Sequence, residues 1–312
     1  CKLLSYIPME MLSFEWNFPP KVMRLRKENA KTHVVLRFDD AGEGKTRVRF
    51  VQAGWKEGKD WDEGYAYFDK AWDMVLGQLK EKIKGDVDAD SSDSLRPDKT
   101  WTDKHVTVHS YSKPERRQDF EMTIPVSVEK VWNILATGKG LKRLGGQSPE
   151  VELTPGGKYA FWPGAPNKVL SYVPMEMLST SGSAPPQFPN VRKGGTWSAY
   201  YLVKVNSKTT KLRLNCVGWK TGDQEWDDAF KYFLKNNPIF LNDVYDKLTS
   251  TVSTERGKGY MRQEGVVDAP VTDVWKAMTT QEGMESWMVA HAEIDLRVGG
   301  RMLTHYDKDG VI

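Results

Sequence analysis

The chain contains one ten-residue phrase twice, and this repeat constrains the fold more than any other feature. LLSYIPMEML occupies residues 3–12 and VLSYVPMEML occupies residues 169–178, so eight of the ten positions are identical. The separation of 166 residues is about one domain length. We therefore expect the 312 residues to contain two copies of one domain.

Further matches indicate that one copy is divided between the two ends of the chain. Segment 53–68 is similar to segment 217–233, and the glycine pair at 156–157 has a counterpart at 299–300. We expect domain A to combine its C-terminal half, 1–86, with its N-terminal half, 251–312. Domain B, 103–250, follows an acidic linker rich in Ser and Pro at 87–102. Three explanations account for this order. The chain is a circular permutant, or a loop is missing or the segment order is altered between Ile312 and Cys1, or two chains exchange halves.

Hydrophobic periodicity predicts the same element order in both copies: a strand, a short helix, several antiparallel strands and a long terminal helix. Alternation in QDFEMTIP predicts a strand, and VSVEKVWNILAT has the apolar spacing of a helix. Aromatic residues at steps of three or four follow Trp61 and Trp226, and predict the long helices. Asn236-Asn237-Pro238 predicts a kink or a restart in the second of these. The fold class is therefore α+β, with a curved sheet around a long helix.

Four motifs carry a resemblance to a known superfamily: Val-Trp on the first helix, a glycine pair before a strand, the LSYxPMEML phrase, and Gly-Trp before the last helix. Together they resemble the helix-grip (START-like, SRPBCC) superfamily. Within it they are similar to the branch of the activator of heat-shock-protein ATPase homologue (AHSA-type), here in two tandem copies. A tryptophan common in that family matches Trp287, but its counterpart in domain B is Leu144. The resemblance implies that the two pockets differ and that domain B is the degenerate one.

Composition and charge exclude several classes of protein. Lys and Arg number 45 against 42 Asp and Glu, which argues against a dedicated nucleic-acid binder. No run of residues has the length and apolarity of a transmembrane segment. Because the start does not resemble a signal peptide, and Cys1 and Cys216 fall at unrelated points of the copies, we expect a cytoplasmic protein with reduced thiols.

No catalytic or metal-binding motif is legible. The five histidines lack metal-ligand spacing, so we expect neither a metal nor a cofactor. Asp62-Glu63 and Asp227-Asp228 stand at helix starts, where capping explains them better than acid–base chemistry. The glycine pairs predict tight turns with positive φ. Cys216 is expected to be a small buried hydrophobic residue.

The aromatic residues are the remaining candidates for a site, because large rings either fill a core or line an apolar cavity. In domain A the candidates for cavity lining are Trp16, Trp55, Trp61, Tyr65, Phe68, Trp72, Trp287, His305 and Tyr306. In domain B they are Trp162, Trp197, Tyr201, Trp219, Trp226 and Phe230.

Three functions remain open. The first is a non-catalytic protein that binds a small apolar or amphipathic ligand between sheet and helix. The second is a polyketide-cyclase-like enzyme, which requires a polar group with a shifted pKa facing the cavity. The third is a co-chaperone or assembly partner that acts through a protein partner, with both cavities closed and an apolar patch outside.

Overall fold

The computed structural model describes residues 1–83, 96–112, 115–162, 167–249 and 260–305, without the side chains of 260–266. The chain divides into two compact units. Unit 1 combines residues 1–83 with 260–305, and unit 2 comprises the described residues between 96 and 249.

The described residues form strands and helices that are numbered in chain order. The strands are β1 (Leu3–Ile7), β2 (Met11–Asn17), β3 (Lys31–Gly42), β4 (Lys45–Ala53), β5 (Lys99–Asp103), β6 (Val106–Tyr111), β7 (Arg117–Ile124), β8 (Glu150–Val151), β9 (Tyr159–Ala160), β10 (Val169–Val173), β11 (Met177–Ser181), β12 (Trp197–Asn206), β13 (Thr209–Val217), β14 (Tyr260–Val267), β15 (His291–Ile294) and β16 (Met302–His305). The helices are α1 (Met23–Lys27), α2 (Lys59–Lys82), α3 (Val128–Ala136), α4 (Gly138–Arg143), α5 (Pro189–Arg192), α6 (Gln224–Thr249), α7 (Val271–Thr279) and α8 (Gln281–Trp287).

In unit 1 the two ends of the chain build one antiparallel sheet. Its strand order is β1-β2-β3-β4-β14. Strand β14 pairs with β4 from Tyr260 opposite Ala53 to Val267 opposite Thr46. The Thr46 hydroxyl also donates a 2.8 Å hydrogen bond to the carbonyl of Ala269. Residues at the C-terminal end thus complete the sheet begun at the N-terminal end.

Unit 2 has the corresponding sheet with two further strands, in the order β10-β11-β12-β13-β7-β6-β5. Strand β7 pairs with β13 as β14 pairs with β4. Strand β5 pairs with β6 from Lys99 opposite Ser110 to Asp103 opposite Val106. The interval expected to be a linker, 87–102, therefore ends in a strand, and its residues before 96 lie outside the described chain. Strand β5 has no alternation of apolar and polar residues that would predict it, and all five of its residues are exposed.

The repeated phrase forms the β1–β2 hairpin in unit 1 and the β10–β11 hairpin in unit 2. In each, a proline is followed by a methionine with positive φ, +59° at Met9 and +64° at Met175. The predicted glycine turns are also present, with φ of +85° at Gly156 and +81° at Gly299. Glycine adopts this left-handed conformation without the steric cost that a side chain adds, which explains the residue type at these two turns.

A long helix covers one face of each sheet, so the α+β helix-grip architecture predicted from the sequence is confirmed. Helix α2 buries Phe68, Trp72, Val75 and Leu79, at steps of three and four. Helix α6 is continuous over 26 residues and contains Pro238. The predicted restart is absent because apolar residues on both sides of the proline, among them Phe230 and Leu241, are buried in one core.

The start of α6 differs from the predicted capping. The backbone N–H of Trp226 donates to Oδ1 of Asp223 at 3.2 Å, so Asp223 is the capping residue. Asp227 lies in the first turn, where its charge complements the helix dipole, and pairs with Arg116 at 2.5 Å. Over the described residues, no helix is both long and apolar enough to cross a membrane.

Candidate functional site

Unit 2 contains a cavity of about 290 Å³ between its sheet and α6. Sheet residues form one side of it, and Phe233, Asn237 and Phe240 of α6 form the other. The residues that line it are Tyr159, Phe161, Trp162, Asn167, Thr180, Ser181, Gly182, Ser183, Thr196, Trp197, Ser198, Tyr200, Leu214, Cys216, Trp219, Phe233, Asn237 and Phe240. Eight of these 18 residues are aromatic and seven others carry a hydroxyl or amide group, a mixture of apolar and polar side chains that occurs in small-molecule sites.

Two tyrosines lie in this lining with their side chains largely buried. The Tyr159 hydroxyl donates a 2.8 Å hydrogen bond to the carbonyl of Leu135. Tyr200 is 9% exposed and lies on β12 between Leu178 of β11 and Leu214 of β13. Side chains alternate along a strand, so Tyr200 lines the cavity whereas its neighbour Tyr201 does not.

Cys216 and Asn237 meet at the cavity wall across the sheet–helix gap. The Asn237 amide donates to the Cys216 sulfur at 3.6 Å, and the Ser198 hydroxyl donates to the same sulfur at 3.4 Å. The Trp219 indole N–H donates to the carbonyl of Cys216 at 3.1 Å. The expectation that Cys216 is buried is confirmed, and it also contributes to the cavity.

Burial keeps the weak acids of the cavity protonated. It raises the pKa of the Cys216 thiol from 9.0 to about 12 and raises the pKa of Tyr159. It also raises the pKa of Tyr200 well above its ordinary value, and the proximity of Tyr159 and Cys216 adds to that increase. Removing water disfavours the anionic form of each group. These side chains are therefore neutral hydrogen-bonding groups at physiological pH.

Among the described residues that line the cavity, none is Asp, Glu, Lys, Arg or His. Within the described part of the chain, no group of three or more His, Cys, Asp or Glu could hold a metal ion. The arrangement suits the burial of an uncharged molecule.

Three of the six aromatic residues proposed from the sequence for domain B line this cavity, namely Trp162, Trp197 and Trp219. Trp162 is 52% exposed and packs edge to face on Phe161 with ring centroids 4.7 Å apart.

The other three aromatic candidates of domain B do not line the cavity. Trp226 lies below the amino group of Lys220, and Phe230 lies between Trp219 and the guanidinium of Arg116. Tyr201 lies on the opposite face of β12.

Aromatic rings fill the corresponding space in unit 1. The centroids of Trp16 and Trp72 are 5.1 Å apart, and those of Phe50 and Trp72 are 4.2 Å apart. The Trp72 indole N–H donates to Oε1 of Gln52 at 2.9 Å, and Gln52 donates to the Thr32 hydroxyl at 2.6 Å. Trp16 and Trp72 therefore belong to the buried core of unit 1.

The remaining candidates of domain A take several positions. Phe68 and Trp287 belong to the buried core, and Trp55 and Trp61 pack against its edge. Tyr65 is 39% exposed and contacts the Trp55 ring. His305 stacks on His291 across the β15–β16 pair, with centroids 6.1 Å apart. Tyr306 lies outside the described residues.

The repeat explains why the two units differ. The two copies can be aligned on the shared ten-residue phrase and on the matching residues Trp61 and Trp226. In this alignment, four aromatic residues of unit 1 are replaced by smaller residues in unit 2: Phe14 by Thr180, Trp16 by Gly182, Phe18 by Ala184, and Trp72 by Asn237. Among the described residues, the cavity between sheet and long helix lies in domain B, the copy that the resemblance suggested is degenerate. A comparison of the two copies position by position beyond the shared phrase would have revealed these four replacements from the sequence alone.

Family comparison agrees with the architecture. The model of the family described as "Activator of Hsp90 ATPase homolog 1-like protein" matches residues 1–84 and 268–311. Those segments make up most of unit 1. Unit 1 is a domain of this family. Unit 2 repeats the AHSA1-type motifs and strand order, so the chain contains two AHSA1-type copies.

Solved structures with similarity to the chain include three bacterial proteins. Protein MLL2253 from Mesorhizobium loti is 17% identical and has a TM-score of 0.36, over 44% of this chain and 100% of its own. CalU16 from Micromonospora echinospora is 16% identical with a TM-score of 0.30, over 46% and 93%. The Aha1 dimer from Colwellia psychrerythraea is 21% identical with a TM-score of 0.28, over 42% and 95%. No curated protein matches the chain.

Proposed function

We propose that unit 2 of this AHSA1-type protein binds a small apolar or amphipathic ligand in its cavity, and that unit 1 is a closed copy. The observation that carries the proposal is the cavity of about 290 Å³ lined by aromatic side chains. Burying about 200 Å² of apolar ligand surface there would contribute about 5 kcal/mol before the costs of association.

The contrast between the copies supports this proposal. Unit 1 holds Trp72 where unit 2 holds Asn237, and the Trp72 ring is buried against Phe50 and Trp16. A chain that needed only a packed domain could keep the aromatic residue in both copies. The open copy instead has polar groups that are held in place, as the contact between Asn237 and Cys216 illustrates.

An enzyme of the cyclase type is the second candidate, and Tyr200 is the observation that favours it. A neutral phenol in a partly apolar cavity can donate a hydrogen bond to a carbonyl and polarise it. Ligand extraction after native mass spectrometry distinguishes the two functions. A binding protein returns an added ligand unchanged, whereas an enzyme returns a product. A stoichiometric protein partner in the same spectrum would favour the third hypothesis.

The test of binding uses 6-propionyl-2-(dimethylamino)naphthalene, an uncharged dye whose emission shifts to the blue in apolar surroundings. We expect saturable binding of one dye per chain. Asn237→Trp places the residue of unit 1 in the cavity and should weaken binding at least about tenfold, equivalent to 1.4 kcal/mol. Ile239→Trp is the matched control, because Ile239 lies on the same helix and is 57% exposed. Absence of saturable binding in the unmodified protein, or equal binding by both variants, would overturn the proposal.

A further inference from the structure

We infer that the cavity of unit 2 selects an uncharged, planar aromatic molecule that presents a hydrogen-bond acceptor to the hydroxyl of Tyr200. This inference rests on the proposed binding function and specifies the class of ligand. It depends on three features of the cavity: an unused donor, the absence of charge, and the aromatic lining.

The unused donor is the Tyr200 hydroxyl. Tyr200 is more than nine-tenths buried and lines the cavity. Among the residues that the structure describes, none forms a hydrogen bond with its hydroxyl, whereas the other buried tyrosine of the lining, Tyr159, donates to Leu135. The hydroxyl is not among the fully buried polar atoms without a partner, so it is open to the cavity. A molecule that enters the cavity can therefore accept a hydrogen bond from it in place of water.

The chemistry of that partner follows from the protonation state of Tyr200. Its buried phenol keeps its proton, since burial raises its pKa well above the ordinary value. A protonated phenol offers one strong O–H donor, and its complement is a carbonyl, ether or similar oxygen. Thr180 is 4% exposed on the neighbouring strand and lines the same cavity, so it adds a further hydroxyl to the lining.

A ligand carrying a full charge is disfavoured because the lining has no opposite charge to receive it. Transfer of an ionised carboxylate or ammonium group from water into such surroundings is costly unless a counter-charge pairs with it. A flat shape is favoured because the aromatic residues Phe161, Phe233 and Phe240 line the walls. Aromatic pairs stack or meet edge to face, which favours a planar ring system.

The experiment compares three naphthalenes of similar shape by competition with the dye. They are 2-acetylnaphthalene, which is neutral with an acceptor, 2-ethylnaphthalene, which is neutral without one, and 2-naphthoate, which is charged at pH 7. We expect the ketone to bind about fivefold tighter than the hydrocarbon, which is the value of one net hydrogen bond. The carboxylate should bind at least about tenfold weaker than the ketone.

Tyr200→Phe removes the hydroxyl and keeps the ring, so it should abolish the preference for the ketone while retaining hydrocarbon binding. Tyr232→Phe is the matched control, since Tyr232 lies on α6 outside the cavity lining. Persistence of the preference in Tyr200→Phe, equal binding of ketone and hydrocarbon, or tightest binding of the carboxylate would each overturn the inference. In this experiment, the absence of binding by all three compounds would count against the proposed function itself. Comparison of the three compounds in the unmodified protein tests the inference even if Tyr200→Phe fails to fold.

Discussion

Single residues decide whether the space between sheet and helix is filled. In unit 1, the Gln52 side chain links two neighbours: its amide oxygen accepts a hydrogen bond from Trp72, and its amide nitrogen donates one to Thr32. In unit 2 the corresponding residue is Cys216, whose sulfur accepts a hydrogen bond from Asn237. The same backbone position therefore supports a packed tryptophan in one copy and an open cavity in the other.

Loss of the Gln52 amide should destabilise unit 1. In Gln52→Ala the buried indole N–H of Trp72 loses its acceptor, which costs about 1–3 kcal/mol for an unpaired buried donor. Urea denaturation followed by tryptophan fluorescence measures the change in the free energy of unfolding. Gln78→Ala on the same unit is the control, because Gln78 is exposed on α2 and should change that free energy by less than about 0.5 kcal/mol. Equal effects of the two substitutions would contradict the role assigned to Gln52.

The Cys216 thiol should make the stability of the protein depend on alkaline pH. Its pKa is 9.0 ordinarily and about 12 in the folded protein, so the unfolded chain releases this proton first. The stabilisation is fully present below pH 9 and is lost as the pH rises towards 12.

Thermal unfolding between pH 8 and 11, with a reductant present, measures this dependence. The slope of the unfolding free energy against pH reports how many protons are released on unfolding. In Cys216→Ala this number should fall by up to one, whereas Cys1→Ala should keep the slope of the unmodified protein. Identical slopes for Cys216→Ala and the unmodified protein would show that the thiol does not titrate as described.

Secondary-structure elements position these residues by their own periodicity. Alternation along β12 directs Tyr200 to the cavity and Tyr201 to the other face. Helical steps along α6 bring Phe233, Asn237 and Phe240 to the same side. A register shift of one residue in β12 or α6 would bring different side chains to the cavity. The residue at which α6 begins therefore matters for the site.

The cap of α6 should be Asp223 rather than the acidic pair predicted from the sequence. Asp223→Ala removes the acceptor of the Trp226 N–H and should lower the free energy of unfolding by about 1 kcal/mol. Asp228→Ala removes only exposed contacts with Gln224 and Lys231, and should cost less than about 0.5 kcal/mol. Urea denaturation of both variants measures the difference. A larger effect at Asp228 would restore the original assignment.

At the scale of the whole molecule, one unit is continuous in sequence and the other is not. Unit 1 needs β14, α7 and α8 from beyond residue 260, because β14 pairs with β4 and the core includes Val274, Met284 and Trp287. Unit 2 takes all its described elements from residues 96–249.

Truncation after Thr249 should therefore unfold unit 1. Hydrogen–deuterium exchange followed by mass spectrometry should show fast exchange of the backbone amides of β1 to β4 in the truncated protein. The amides of β12 and β13 should remain protected, since their partners β11 and β7 are still present. Retained protection of β3 and β4 would mean that the first 83 residues fold without the C-terminal segment.

The sequence by itself determined the repeat, the order of elements, the glycine turns and the aromatic stripes of the long helices, because these depend on local periodicity and backbone sterics. It also contained the replacement of four aromatic residues by Thr180, Gly182, Ala184 and Asn237. Only the tertiary structure decided which rings pack on one another, that Tyr200 rather than Tyr201 faces the cavity, and that Asn237 contacts Cys216. Those outcomes depend on register between strands and on the distance between sheet and helix, which are set by residues far apart in the chain.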